Sequence, residues 1–239
     1  MSEGRPATPP FWSADGLALG ARQAVPAMPV MALFAIAFGA FAAQKGLTFV
    51  EATAMSALNF AGAAQFVAAD IWTRPMTAAT ILALALVSAI VNMRFVLVSA
   101  SLRPWLGGLP ARQTYPALAV LTEPGWLIAL RYRAEGGGDA ATLLGSGLAL
   151  WLIWIAGTAA GWMVGATVSD PQRYGLDLVM PVFFMVFLVT LWRGTRAAVP
   201  WAVAGAVAVA AAYYLPGSWY IMAGAVAGAI AGGMQDERG

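Results

Sequence analysis

Apolar residues gather into eight segments, at roughly 23–43, 48–70, 76–101, 114–130, 141–168, 176–192, 197–213 and 217–233. About 20 such residues in a helix cross the hydrocarbon core of a bilayer. The first, third and fifth segments are long enough to cross without help from their neighbours. The fourth carries Glu123 and Pro124, and the sixth begins with Asp177 and contains Pro181. Those two read as broken or re-entrant helices, which are tolerated only when buried in protein or lining a cavity. The pattern predicts an all-α, polytopic integral membrane protein with 7–8 transmembrane or re-entrant helices. A disordered tail over 1–16 precedes one transmembrane domain over 17–234, and a short polar tail occupies 235–239.

Polar residues inside the apolar segments come next. Asn59-Phe60-Ala61-Gly62-Ala63-Ala64-Gln65-Phe66 lies within the second segment, and Asn92-Met93-Arg94 within the third. An arginine carried to the bilayer centre costs about 2.5–3.5 kcal/mol on insertion scales, so a path or binding site explains it better than architecture. In the third segment Ser88, Asn92 and Ser99 share a helical face. Arg94 stands about two turns before Arg103-Pro104, so it either snorkels or pairs structurally, or it takes part in a substrate path. In the second segment Asn59 and Gln65 would face directions about 120° apart on an unbroken helix. A break at Gly62 would turn backbone groups toward one cavity with both amides, as transporters do near the midplane. The alternative is that Ala61 to Ala64 form a tight helix contact. The candidate path residues are Asn59, Gly62, Gln65, Asn92, Arg94 and Ser99.

Four acids lie in or beside apolar segments. Glu51 and Asp70 fall near segment ends. Glu123 is central in the fourth segment, where it either carries a proton or pairs with an arginine such as Arg94. Asp177 suits a helix amino terminus. Glu123 and Asp177 are therefore the proton-coupling or ion-pair candidates. Two glycine sets, Gly157/Gly161/Gly165 and Gly224/Gly228/Gly232, each line one helix face and allow close backbone approach. They serve packing within the chain, or one of them docks a partner subunit.

Composition narrows the chemistry. The chain is 61% hydrophobic and 10% charged, against about 25% charged in soluble domains. It has no cysteine and no histidine. Disulfides, thiol nucleophiles, Ser-His pairs and the usual metal ligands are excluded, so neither an enzyme nor a metal or cofactor site is expected. Any proton relay must use Asp, Glu or Tyr. A net charge of +2, scattered among loops, is no nucleic-acid surface. With eight crossings and the amino terminus inside, Arg5, Arg22, Arg74, Arg131, Arg133, Arg193, Arg196 and Arg238 fall on the inner side. Lys45, Arg103, Arg112 and Arg173 fall outside. That excess favours a cytoplasmic amino terminus, with the Arg103/Arg112 loop as the exception. Trp72, Trp105, Trp192, Trp201, Trp219 and Tyr220 mark segment ends as interfacial aromatics.

At its polar motifs the chain resembles the AzlC family, the large subunit of branched-chain amino-acid exporters. Phe60-Ala61-Gly62-Ala63-Ala64-Gln65-Phe66 resembles the second-segment motif of that family. Asn92-Met93-Arg94 with Ser99-Ala100-Ser101-Leu102-Arg103-Pro104 resembles its third-segment block, and Leu176-Asp177-Leu178 with Pro181 a late segment. One departure stands out: Thr122-Glu123-Pro124 occupies the place of a Thr-Asp-Glu sequence. An acid is kept on a longer side chain and a second acid is lost.

The resemblance implies a permease of the bacterial inner (cytoplasmic) membrane. It implies export of hydrophobic amino acids such as valine, leucine, isoleucine or methionine, and a small four-helix AzlD-type partner subunit. Proton coupling is expected. An uncoupled channel or facilitator for another small polar solute is the alternative, and would be indifferent to collapse of the proton gradient.

Overall fold

A computed structural model describes residues 11–168, 198–215 and 219–236, together with Arg173, Leu178, Val182, Met185, Val189, Gly194 and Thr195. Asp177 lies outside the described residues, as do most of the sixth segment and Trp192. All regular structure among the described residues is helical. The chain divides into two compact units, Met1–Pro181 and Val182–Gly239, where the sequence suggested one domain.

Three elements of the first unit are long and apolar enough to cross a membrane: Ala14–Gln44, Ala78–Ser101 and Ala141–Thr167. The first comprises α1 (Ala14–Ala24), a 3-10 turn at Val25–Ala27 with Pro26 in it, and α2 (Met28–Gln44). The last is α10 (Ala141–Thr167), the central mast. Its glycines bring α1 and α2 alongside. A Cβ at Gly145 would strike the Leu17 carbonyl, at Gly161 the Ile36 carbonyl, and at Gly157 and Gly165 Ala35 and Ala40. Gly20 and Gly39 answer from the other side, against the carbonyls of Thr142 and Thr158. Residue numbers rise together along the seam, so the two elements run parallel. The end of α10 at Ala141 is called proximal below, and the end at Thr167 distal.

The second apolar segment is two half-helices, not a crossing. α3 (Phe49–Leu58) starts at a capping box in which Thr48 and Glu51 satisfy each other's backbone N–H. Asn59 ends it, and α4 (Gly62–Asp70) begins after a short turn. Both ends of this hairpin lie at the distal end of α10. Trp162 Nε1 donates to the Leu47 carbonyl at 2.8 Å, and Lys45 Nζ meets Asp70 Oδ1 at 2.7 Å. Arg74 pairs with Glu51. The turn lies near the middle of α10, where Trp151 Nε1 donates to the Ala57 carbonyl at 3.1 Å. Ten residues of α3 rise ~15 Å, about half of a hydrocarbon core. The segment enters, turns at mid-depth and returns.

From the distal end the chain crosses back. α5 (Ala78–Asn92), capped by Thr77, and α6 (Arg94–Ser101) meet at Met93, and α7 (Arg103–Leu106) follows. Leu102, Trp105 and Leu106 then join Ala117, Leu121, Ala129, Ala140 and Leu143 in a buried cluster at the proximal end. The fourth segment is a second hairpin, as its Glu123-Pro124 predicted. α8 (Ala111–Ala119) runs inward and α9 (Glu123–Ala134), capped by Thr122, runs back. Its tip reaches α10 at Gly147, where a Cβ would strike Val120. Its base closes through Tyr132, whose hydroxyl accepts from Asp139 N at 3.3 Å.

Counting the second segment as re-entrant changes the topology assumed from sequence. Arg103 and Arg112 now sit at the proximal end with Arg22, Arg131 and Arg133, opposite Lys45 and Arg74. The exception to the charge rule disappears.

The amino-terminal boundary also differs from expectation. Phe11 is tied to the fold: its N–H donates to Gly138 O at 3.1 Å and its carbonyl accepts from Ala140 N at 2.9 Å. Ser13 caps α1, and its own N–H and hydroxyl both donate to the buried Asp139. This anchor explains why residues 11–16 are no tail.

In the second unit α11 (Ala198–Tyr214) and α12 (Trp219–Asp236) pack on each other. Gly224 and Gly228 sit against Ala204 and Ala208, and Gly232 faces Pro200. Both glycine sets singled out from sequence therefore pack within the chain.

Candidate functional site

Three interruptions meet near mid-depth. The tip of the first hairpin contributes Asn59, the kink of the second crossing Asn92 and Arg94, and the tip of the second hairpin Thr122 and Glu123. Asn92 Nδ2 donates to Asn59 Oδ1 at 3.4 Å. Arg94 Nη1 lies 2.8 Å from Glu123 Oε1. The kink thus holds one hairpin tip with each of the residues flanking Met93.

The two hairpin tips expose helix ends, and Met93 kinks a helix that stays hydrogen-bonded across it. The carboxyl ends of α3 and α8 arrive at this depth, and the amino ends of α4 and α9 leave from it. Carboxyl ends carry partial negative charge and amino ends partial positive charge, from backbone groups without intrahelical partners. An arginine and a glutamate stand among them. The side chains of Arg94 and Glu123 are 31% and 38% accessible, so the pair is neither sealed in the interior nor fully bathed. Asn92 Oδ1 is buried and has no hydrogen-bond partner among the described residues. One region therefore offers a cation, an anion, an open amide acceptor and both signs of helix end. That set can hold a small zwitterion.

Gln65 is elsewhere. It is fully buried, and its Nε2 donates to Ser56 Oγ at 2.9 Å while Oε1 accepts from Trp154 Nε1 at 2.9 Å. Ser56 Oγ in turn lies 2.8 Å from Thr158 Oγ1. This network ties α3, α4 and α10 together behind the tip, with Trp154 stacked on Phe38. Gln65, a path candidate from sequence, acts in this structure as a brace of the hairpin. Burial with both amide ends engaged is the reason. Gly62 belongs to the same support, since a Cβ there would strike the Trp154 ring. Gln65→Leu leaves Ser56 and Trp154 short of a partner in the interior, at about 1–3 kcal/mol. A lowered unfolding temperature in detergent is the expected result.

Ser99 also departs from expectation. Its hydroxyl donates to the Phe95 carbonyl of its own helix at 2.6 Å, which satisfies it locally. Sequence reasoning missed Thr122 as the cap of α9, and Trp154 and Thr158 as members of the brace. Tryptophans at 151 and 154, in mid-segment, were the available signal, because a buried indole N–H needs an acceptor.

A family model described as AzlC protein matches residues 26–168. A protein of Archaeoglobus fulgidus is 30% identical over 216 residues, covering 87% of this chain and 91% of its own length. One of Helicobacter pylori is 29% identical over 163 residues, covering 68% of this chain and 70% of its own. Each bears the name "Uncharacterized membrane protein". No solved structure matches.

Proposed function

The chain belongs to the AzlC family, and from that premise we propose that it is a membrane permease exporting hydrophobic amino acids. Branched-chain residues and methionine are the substrate class, and an AzlD-type small subunit is its partner. The observation that carries this reading is the Arg94–Glu123 pair at the meeting of interrupted helices. Discontinuous helices with ends facing a midplane site are a recurrent way to hold a zwitterion.

In this reading the substrate carboxylate takes Arg94 and the amino end of α4. Its ammonium takes Glu123 and the free Asn92 Oδ1. The amino acid splits the ion pair and replaces each partner's charge with its own. Protonation of Glu123 from the outer side removes the anion, releases the ammonium and returns the proton inward with the empty carrier. One proton in and one amino acid out makes an antiporter. Asp177, outside the described residues, stays a second coupling candidate.

Among the described residues, Arg22, Arg103, Arg112, Arg131 and Arg133 toward the proximal end, with Lys45 and Arg74 toward the distal end, support a cytoplasmic proximal end, and so a cytoplasmic amino terminus. The test is efflux of labelled valine from proteoliposomes, with and without an imposed proton gradient. Gradient-dependent efflux is the expected result. Flux indifferent to collapse of the gradient would favour an uncoupled facilitator, and no flux with or without a co-reconstituted small subunit would overturn the reading.

A further inference from the structure

The two halves of the first unit up to Ala134 follow one plan in opposite senses. A crossing (residues 14–44) precedes a hairpin of two half-helices, Phe49–Leu58 and Gly62–Asp70. A second crossing (residues 78–106) precedes another, Ala111–Ala119 and Glu123–Ala134. Starts of corresponding half-helices are 62 and 61 residues apart, from 49 to 111 and from 62 to 123. Gly46-Leu47-Thr48 leads into the first hairpin and Gly108-Leu109-Pro110 into the second, also 62 residues on. The first crossing runs proximal to distal and its hairpin dips in from the distal end. The second runs distal to proximal and its hairpin dips in from the proximal end. Both crossings are interrupted, at Val25–Ala27 and at Met93.

We infer that residues 14–74 and 78–134 are inverted structural repeats and that their hairpins are the two gates of the site. The inference rests on the transport reading above. Related halves of opposite orientation can exchange conformations, so that opening at one end is matched by closure at the other. The two hairpins differ in the state seen here. In α4 seven of nine residues are buried, from Ala63 to Ala69, and the hairpin base is clamped by Lys45–Asp70 and Arg74–Glu51. In α8 only Ala117 is buried, Pro116 interrupts the backbone ladder, and Tyr115 is exposed. The distal gate is closed. The proximal gate is the looser one, held at its tip by Arg94–Glu123 and along α9 by Trp126 Nε1 donating to Ser101 Oγ at 2.9 Å. Substrate that separates Arg94 from Glu123 releases this second hairpin.

Because the chain has no native cysteine, each gate can be clamped alone. Lys45→Cys with Asp70→Cys spans the distal gate, and Ser101→Cys with Trp126→Cys the proximal one. With a short thiol-bridging reagent, each pair should stop valine flux at least tenfold, reversibly on reduction. Valine binding should persist only from the unclamped side in vesicles of known orientation. Full flux through either clamped protein, or loss of binding from the same side with both clamps, would overturn the inference. If a reduced variant is inactive, hydrogen–deuterium exchange of the wild type decides. Faster exchange in α8 than in α4, with valine slowing residues 111–134 selectively, supports the gates, and equal exchange in the two hairpins contradicts them. Absence of valine flux in the wild-type protein would instead reject the transport reading.

Discussion

Arg94→Ala is expected to bring valine efflux to background while the protein remains inserted and monodisperse in detergent. The guanidinium holds the second hairpin tip through Glu123 at 2.8 Å. Among the described residues that meet at mid-depth it is the one full positive charge. Removing it leaves a carboxylate there without its pair and leaves the substrate carboxylate without a cation. A charge-assisted hydrogen bond contributes about 1.5–3 kcal/mol, and each 1.4 kcal/mol is tenfold in binding. A loss of 10- to 100-fold in apparent affinity follows from the substrate contact alone. Arg94→Lys keeps the charge but loses the planar fork, and should retain part of the flux. Wild-type efflux by Arg94→Ala at equal expression would reject the assignment.

Glu123→Gln has the second largest expected effect, of a different kind. The amide mimics the protonated acid, so the carrier can no longer exchange a proton for a substrate at this position. Gradient-driven efflux should fall at least tenfold and lose its dependence on outer pH. In the wild type, acidifying the outer side should accelerate efflux, because protonation there releases the ammonium. Glu123→Asp shortens the reach to Arg94 by one methylene and should be intermediate. A variant Glu123→Gln that keeps wild-type pH dependence would move the coupling role to another acid, with Asp177 the next to test.

Much of this architecture is legible in the sequence, unevenly. Pro124 after Glu123 announces the break in the fourth segment, and Gly62 among alanines that in the second. The kink at Met93 carries no such mark, because residues 90 to 95 all tolerate helix. It forms where Asn92 turns to one hairpin and Arg94 to the other, a tertiary cause. The re-entrant path of the second segment is also hidden. Twenty-odd apolar residues look like a crossing, and the return shows only in contacts distant in sequence. Lys45 meets Asp70 and Glu51 meets Arg74, pairs 25 and 23 residues apart that have no local signature. Gln65 reads as a path residue because it is polar at membrane depth. Its partner Trp154 lies 89 residues away, so only the fold reveals that the amide is satisfied.

The account depends on a wetted, amino-acid-binding crevice where the hairpin tips meet the kinked crossing. Single cysteines at Asn59 and Asn92, with Leu97→Cys on the exposed apolar face of α6 as reference, test this directly with a water-soluble thiol reagent. Positions 59 and 92 should label readily and be slowed severalfold by valine, while position 97 stays unreactive. Equal inertness at all three positions, or labelling that valine leaves unchanged, would contradict it.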